Sequence, residues 1–222
     1  RVSFAWVKRR DGPPMRSVPF LGLQASEGAT ELVWEQQFSA FELSFLQNHR
    51  VGAVPLLPGT CYIEMARAVV RAVHERAAAF DLTAVAFSTI LFLDELELRP
   101  TVRVALSRRL GAISITSRRE SRAWDLHSTM DLRLSDAAKE LLDLVATRAR
   151  TLTEHVDAHV FYSRTGNNYR GEFRSMQEAS ASSGGAEVLS RVAYERMESE
   201  RVHLRSCAWL DACLHAPIWW TE

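Results

Sequence analysis

The chain has 222 residues, 47% of them hydrophobic, and its 27 basic side chains balance its 27 acidic ones. A balanced charge gives no reason to expect nucleic acid or an anionic membrane as a partner, and an odd count of three cysteines argues against a disulfide scaffold. No apolar run has the length of a signal peptide or of a membrane-spanning helix, so we expect a cytoplasmic protein.

The first half of the chain alternates strand-like and helix-like patterns. Residues 1–19 contain a Gly-Pro-Pro run and indicate a linker from an upstream segment. A strand is predicted over Glu31–Ala40, and a helix from about Thr60 to Arg76 that is apolar almost all round, as buried helices are. Strand-like runs follow at Leu82–Leu93, Glu97–Ser107, Ala112–Ser117 and Trp124–Leu134. This order predicts an α+β fold in which a sheet wraps round a central helix.

The second half repeats the pattern more faintly. Its predicted elements are a helix at Ala158–Arg164, strands at Arg174–Ala179 and Glu187–Tyr194, and a helix at Ser206–Ala216. The strands that should follow the last helix are missing, so we expect the C-terminal half to be truncated. A change of composition, with Asp136 able to cap a short helix, predicts a linker between the halves. The predicted organisation is a linker remnant over 1–19, a first domain over 20–135, a linker over 136–153 and an incomplete second domain over 154–222.

His49 is the first candidate for chemistry, in a segment predicted as a loop between the strand at Glu31–Ala40 and the buried helix. It lies nine residues before Pro58-Gly59, the break that opens the predicted buried helix. Free backbone N–H groups at a helix N-terminus can hold a carbonyl oxygen. A base beside an oxygen-holding site is what proton removal next to a carbonyl requires. The alternative is a loop histidine with a structural role, which is the commoner case for a lone histidine.

Asp211 and His215 are the second candidate pair. They are four residues apart on a predicted helix, so they share a face and can hydrogen-bond. Apolar neighbours such as Trp209 and Leu210 favour the protonated form of the carboxyl, which is what a general acid needs. The alternative is a surface pair with no chemical role.

Other kinds of site find little support in the sequence. His155 and His159 are also four apart and could share a metal ion, but the segment supplies no clear third ligand, so we predict no metal site. Cys61 lies inside the predicted buried helix and is interpreted as a packing residue. The chain has no nucleophile elbow, no phosphate-binding loop and no dinucleotide fingerprint.

Three motifs in register resemble the dehydratase domains of modular type I polyketide synthases. His49 to Pro58 resembles the His-x3-Gly-x4-Pro motif of that family, and Pro58 to Ala66 continues it. Tyr169 to Phe173 resembles the family's Tyr-Gly-Pro-x-Phe motif. Leu210 to His215 resembles its Leu-Asp-Ala-x-x-(Gln or His) signature. The resemblance spans nearly the whole chain.

The resemblance implies a double hot-dog fold, in which two sheet-wrapped helices lie side by side with one active site at their junction. It implies that His49 comes from the first hot dog and Asp211 from the second. The implied reaction is loss of water from a β-hydroxyacyl thioester carried on the phosphopantetheine arm of an acyl carrier protein, with no metal or redox cofactor. The implied partners are the carrier protein, neighbouring synthase domains and a second copy of the chain.

The residue roles implied by the resemblance agree with those read from the residues themselves. His49 takes the proton next to the thioester carbonyl, and helix N–H groups near Gly59 hold the carbonyl oxygen. Asp211 protonates the departing hydroxyl, and His215 orients the carboxyl. The two remaining roles are a substrate hydrogen bond from Tyr169 and a backbone carbonyl at Pro58 that fixes the tautomer of His49.

The chain departs from the family pattern at three places. Ala53 stands where the first motif has glycine, with Gly52 one place earlier. Arg170 and Gly171 replace the usual Gly-Pro, and Ser206-Cys207 replaces the usual His-Pro before the last signature. These changes leave two alternatives open: a product-template-like or pyran-forming cyclase of the same fold, and a catalytically silent hot dog that is structural or docks a carrier protein.

Overall fold

A computed structural model describes residues 20–39, 43–74, 79–93, 99–120, 122–135, 152–165, 167–183, 187–193 and 202–219. Backbone contacts divide the chain into two compact units, one of residues 1–39 with 61–137 and one of 40–60 with 138–222. The predicted upstream linker, and all but the last two residues of the linker predicted over 136–153, lie outside the described residues. The predicted boundaries of the two hot dogs stay a prediction.

The described elements, in chain order, are β1 (Leu23–Glu27), β2 (Glu31–Gln37), β3 (His49–Val51), β4 (Val54–Leu57), α1 (Gly59–Val73), β5 (Ala79–Phe87), β6 (Leu91–Phe92), β7 (Thr101–Ser107), β8 (Ala112–Arg118), β9 (Asp125–Ser135), β10 (Glu154–Asp157), α2 (Ala158–Arg164), β11 (Asn167–Tyr169), β12 (Met176–Ala181), β13 (Val188–Val192) and α3 (Val202–Trp219). Two 3₁₀ turns, Ser44–Asn48 and Gly171–Phe173, lie beside the second-unit strands. Among the described residues, no helix is both long and apolar enough to cross a membrane.

The first unit contains a six-stranded antiparallel sheet in the order β1-β2-β7-β8-β9-β5. In β8 every second residue is buried, among them Ile113 and Ile115, because side chains of a strand alternate between the two faces of the sheet. The helix α1 packs on this sheet through Tyr62, whose ring lies 6.1 Å from the rings of Phe87 and His127. The predicted α+β pairing of a sheet with a buried helix is therefore confirmed.

The run predicted as one strand over Leu82–Leu93 is two strands, β5 and β6. Polar contacts bend the chain between them. The Ser88 N–H donates to the His127 carbonyl at 2.8 Å, and the Thr89 hydroxyl donates to the Leu126 carbonyl at 2.5 Å. An apolar pattern alone does not reveal such a bend, since the side chains that hold it bond to a distant strand.

The second unit has its own antiparallel sheet, in the order β10-β12-β13. Its core contains Val156, Phe161, Met176, Ala179 and Ala216. The predicted helix α2 has the bounds expected from the sequence, and it begins where the Asp157 carboxylate accepts the His159 N–H at 2.7 Å.

The helix α3 packs against β12 and β13 in the second unit. It is longer than the predicted Ser206–Ala216. Over residues 207–216, where its side chains are described, the buried ones are small apart from one histidine; they are Cys207, Ala208, Ala212, His215 and Ala216. The strand predicted over Arg174–Ala179 begins later, at Met176, because the Arg174 N–H closes the preceding 3₁₀ turn onto the Gly171 carbonyl.

A β-hairpin of β3 and β4 holds the segment that was predicted as a loop around His49. The hairpin turns at Gly52-Ala53, and β11 pairs with its first strand so that Tyr169 lies opposite His49. The loop prediction is wrong because the pairing partner of β3 lies in a distant part of the chain.

Candidate active site

His49 is the first residue of β3, and hydrogen bonds hold the backbone on both sides of it. The Arg170 N–H donates to the Asn48 carbonyl at 2.8 Å. The Arg50 guanidinium donates to the carbonyls of Gln47, at 2.8 Å, and Ala53, at 2.5 Å. These bonds fix the direction in which the His49 side chain leaves the strand.

The side chain of His49 faces Asp211. The two atoms that approach, Nε2 of His49 and Oδ2 of Asp211, are 3.6 Å apart, and 10% and 13% of the respective side chains are exposed. Nε2 of His215 lies 2.9 Å from the same carboxyl oxygen, so the i,i+4 hydrogen bond predicted from the sequence is present. All three residues lie in the second unit.

Aromatic rings surround the two histidines. The His49 ring lies 5.2 Å from the Tyr169 ring and 5.0 Å from the Phe173 ring, in edge-to-face geometry. The Tyr169 ring lies 4.1 Å from that of His215. Tyr169 therefore lies beside both histidines, where the motif resemblance predicted it.

Burial lowers the pKa of His49 below its usual value of 6.5, and the nearby Asp211 carboxyl opposes this shift without reversing it. The ring is therefore neutral near pH 7, and a neutral ring can accept a proton. Its Nδ1 is buried and has no hydrogen-bond partner among the described residues. The predicted bond from Nδ1 to the Pro58 carbonyl is thus absent.

The N-terminus of α1 lies next to Asp211. Gly59 is the first residue of the helix, and the hydroxyl of the buried Thr60 is 3.5 Å from Oδ1 of Asp211, which is a weak contact. The first turn carries no acidic side chain. Pro58 precedes the helix and is itself buried. The backbone N–H groups of Gly59 and Thr60 have no partner within the helix and can donate to a ligand oxygen.

Two of the three departures from the motifs are accommodated by glycines with a positive φ. Gly52 has a φ of +60°, so the positive φ of the β3–β4 turn falls on it and Ala53 needs none. Gly171 has a φ of +49°, and a Cβ there would lie 2.6 Å from the Asn48 amide nitrogen. Asn48 in turn donates to the Glu172 carboxylate at 2.9 Å.

The two histidines weighed as metal ligands do not share a helix face. His155 lies on β10, with its Nδ1 3.2 Å from the Ser180 hydroxyl, and His159 lies on α2. In the part of the chain that the structure describes, no three His, Cys, Asp or Glu side chains are close enough to hold a metal ion.

Sequence reasoning missed Tyr162 and Phe173 as parts of the site. The Tyr162 hydroxyl lies 3.1 Å from Nδ1 of His215. No sequence spacing links these residues, because they come from different helices. Phe173 could have been found, since it closes the Tyr169–Phe173 motif.

The sequence is similar to polyketide synthases and to their dehydratase domains. A family model described as the polyketide synthase dehydratase domain matches residues 19–119. A highly reducing polyketide synthase, lcsB of Purpureocillium lilacinum, is 26% identical over 207 residues, which cover 86% of this chain and 8% of that protein. The chain thus spans less than a tenth of the length of this relative.

Solved structures share the fold. The dehydratase domain of the CurF module of the curacin polyketide synthase superposes with a TM-score of 0.77 at 19% identity, covering 90% of this chain and 76% of that one. The dehydratase domain of a mycocerosic acid synthase-like synthase gives a TM-score of 0.70 at 24% identity, covering 93% and 74%. An inactive Asp-to-Asn variant of the CurK dehydratase gives 0.76 at 21%, covering 89% and 73%. The predicted double hot-dog fold is therefore confirmed.

Proposed function

We propose that this chain belongs to the polyketide synthase dehydratase family, whose model matches residues 19–119, and that it removes water from a β-hydroxyacyl thioester to form an α,β-unsaturated thioester. The observation that carries the proposal is the approach of His49 and Asp211 to 3.6 Å in a mostly buried setting. Dehydration takes a proton from one carbon and a hydroxyl from the next. The base and the acid must therefore act on a hydrogen and an oxygen that are only three bonds apart, which requires the two side chains to be close together.

His49 is the base in this proposal. Its Nε2 is the nitrogen that faces Asp211, and its lowered pKa keeps the ring neutral near pH 7. Nε2 takes the proton from the carbon next to the thioester carbonyl, and the electron pair of that C–H bond forms the new double bond. A positioned base of this kind contributes roughly 10²–10⁴-fold to a rate.

Asp211 is the acid. It gives a proton to the departing hydroxyl, the C–O bond breaks, and the hydroxyl leaves as water. Asp211 is then a carboxylate and His49 is protonated. Exchange of protons with solvent water, which the partial exposure of both side chains permits, then removes the proton from His49 and restores one to Asp211.

The start of α1 is proposed to hold the thioester oxygen. Negative charge develops on that oxygen as the proton leaves, and backbone N–H groups at a helix N-terminus stabilise such charge. The contact of Thr60 with Asp211 brings these N–H groups to the acid. Tyr169 lies beside both histidines and is proposed to bind the substrate there.

Two solved structures of one relative support the choice of residue types. Crystal structures of the CurK dehydratase include an Asp-to-Asn variant and a His-to-Phe variant, both described as inactive. The site proposed here uses the same two residue types, one aspartate and one histidine.

The partners follow from the substrate. We propose that the acyl chain is presented on the phosphopantetheine arm of an acyl carrier protein, next to other domains of a synthase and as a dimer of this chain in the cytoplasm. The proposed reaction moves only protons and water, and so needs no metal or redox cofactor.

The test is incubation of the chain with β-hydroxyacyl-pantetheine thioesters of both configurations at the hydroxyl carbon, followed by mass spectrometry. We expect loss of one water from one configuration. A folded wild-type chain that leaves both thioesters intact would contradict the proposal. His159→Ala is the matched control and should keep the wild-type rate, because His159 is exposed and lies on α2, outside the site.

A further inference from the structure

Among the described residues, the hydroxyl of Tyr162 has three polar neighbours, all within the second unit. Nδ1 of His215 and the backbone nitrogen of Met176 each lie 3.1 Å away. The carbonyl oxygen of Phe173 is farther, at 3.4 Å. No motif points to Tyr162, and the proposed reaction does not use it directly.

The donors around this hydroxyl can be assigned by counting protons. The Met176 N–H can only donate, so the Tyr162 oxygen accepts from it. Tyr162 has one proton left to give, and Nδ1 of His215 is nearer than the Phe173 carbonyl. Burial raises the pKa of Tyr162 to about 12, so the hydroxyl keeps that proton near pH 7.

This assignment determines the protonation of His215. If Nδ1 accepts from Tyr162, a neutral His215 carries its proton on Nε2. Nε2 then donates to Oδ2 of Asp211 at 2.9 Å. The opposite tautomer would need Tyr162 to use the longer contact to Phe173, and would also need a proton on Oδ2 of Asp211.

We infer that Tyr162 is a positioning residue, whose hydroxyl donates to Nδ1 of His215 and thereby holds His215 in the tautomer that donates from Nε2 to Asp211. The tautomer is inferred from the hydrogen-bond geometry alone. Its effect on the reaction rests on the proposed function.

The consequence concerns the two oxygens of the Asp211 carboxyl. Oδ2 faces the donor of His215, so the proton that Asp211 gives away is carried by Oδ1, the oxygen on the side of Thr60. As that proton leaves, charge develops on the carboxyl. The Nε2–H of His215 stabilises this charge because it is already aligned.

The Tyr162 ring is held in place by its neighbours, so its hydroxyl is aimed before substrate binds. It meets the rings of Phe161, Tyr169 and His215 edge to face, at 5.1, 5.9 and 5.7 Å. The Arg174 guanidinium lies 5.2 Å from the centre of the ring.

The tautomer can be read without substrate. In the full chain with ¹⁵N-labelled histidine, two-bond and three-bond proton–nitrogen correlations distinguish a proton on Nε2 from one on Nδ1, and the His215 signals are those lost in His215→Gln. We expect a neutral His215 with its proton on Nε2, and a shift toward the other tautomer in Tyr162→Phe. A wild-type His215 protonated on Nδ1, or on both nitrogens, would overturn the inference even if the chain proved an active dehydratase.

The second readout is kinetic. Tyr162→Phe should lower kcat about tenfold, the size expected for one hydrogen bond, and leave KM within about twofold. In a His215→Gln background the same change should have no further effect, since a glutamine amide has no tautomer to fix. An equal fall in both backgrounds would mean a structural role and would refute the inference. His159→Ala is the control, because His159 is exposed and lies outside the site.

Discussion

Nε2 of His49 lies 3.6 Å from Oδ2 of Asp211, and neither side chain is more than about one-eighth exposed. The strand that carries His49 and the helix that carries Asp211 are far apart in the chain and belong to one compact unit. Their approach has consequences for the pH dependence of the reaction, for the role of His215 and for the loop that supports β3.

The rate of dehydration should depend on pH through His49. The base must be neutral, and burial lowers its pKa below 6.5. The rising limb of the pH profile of kcat/KM should therefore have its midpoint below 6.5. A midpoint above 6.5 in the pH profile of the free enzyme would contradict the assignment of His49 as a buried neutral base.

The variant His215→Gln should lower kcat only slightly, whereas His215→Leu should lower it strongly. A glutamine amide can still donate to Asp211, whereas leucine leaves the carboxyl without this donor. A hydrogen bond to a charged group is worth about 1.5–3 kcal/mol, so the leucine variant should lose roughly 10–100-fold in kcat. The kinetics of the two variants provide the check, and equal losses would argue against a donor role for His215.

Gly171→Ala should destabilise the second unit and slow the reaction. The left-handed backbone at Gly171, with a φ of +49°, costs a residue with a Cβ about 1–3 kcal/mol. The new Cβ would also displace the Asn48 amide, which lies next to His49 in the chain. Urea unfolding and kcat measure the two effects.

The control for that variant is Gly28→Ala. A Cβ at Gly28 would meet its nearest atom, the Glu31 carbonyl oxygen, at 3.4 Å, which is an ordinary contact. We expect a change in unfolding free energy within about 0.5 kcal/mol. Equal destabilisation by both substitutions would show that the Gly171 conformation is not specifically required.

The stability of the fold should fall as the pH is lowered. Burial lowers the pKa of His127, as it does for His49 and His74. Below pH 6.5 the unfolded chain takes up protons that the folded chain resists, so the free energy of unfolding rises with pH in the window between the folded-state pKa values and 6.5. The urea concentration at which half of the protein is unfolded should therefore be lower at about pH 5.5 than at about pH 7.5.

His127→Gln should weaken this pH dependence. His127 is buried, with Nε2 2.7 Å from the Ser117 hydroxyl and Nδ1 3.0 Å from the Thr89 carbonyl. Burial disfavours the protonated, charged form of its ring. His159→Gln, at an exposed position, should leave the slope as it is. A urea midpoint that stays level or rises on acidification would contradict the prediction.

The sequence predicted those features that depend on local patterns. The apolar pattern of α1 predicted a buried helix, and the spacing of Asp211 and His215 predicted their hydrogen bond. The motif order predicted that His49 and Tyr169 belong to one site, and the structure brings their rings to 5.2 Å.

Features that depend on distant partners could not be predicted in this way. The short strand β3 exists because β4 and β11 pair with it, and a three-residue strand has too few residues for a periodic signal. Tyr162 acquires its partner only when α2 and α3 pack together in the second unit. The break between β5 and β6 likewise depends on contacts with β9.

The most direct test of the acid–base site is the rate of water loss from a β-hydroxyacyl-pantetheine thioester by Asp211→Asn, compared with the wild-type chain. Asparagine keeps the shape of the side chain and can still accept from His215, but it has no acidic proton to give. We predict a fall in kcat of roughly 10²–10⁴-fold with the fold intact by circular dichroism. A folded Asp211→Asn variant that dehydrates the thioester at the wild-type rate would contradict the proposed mechanism.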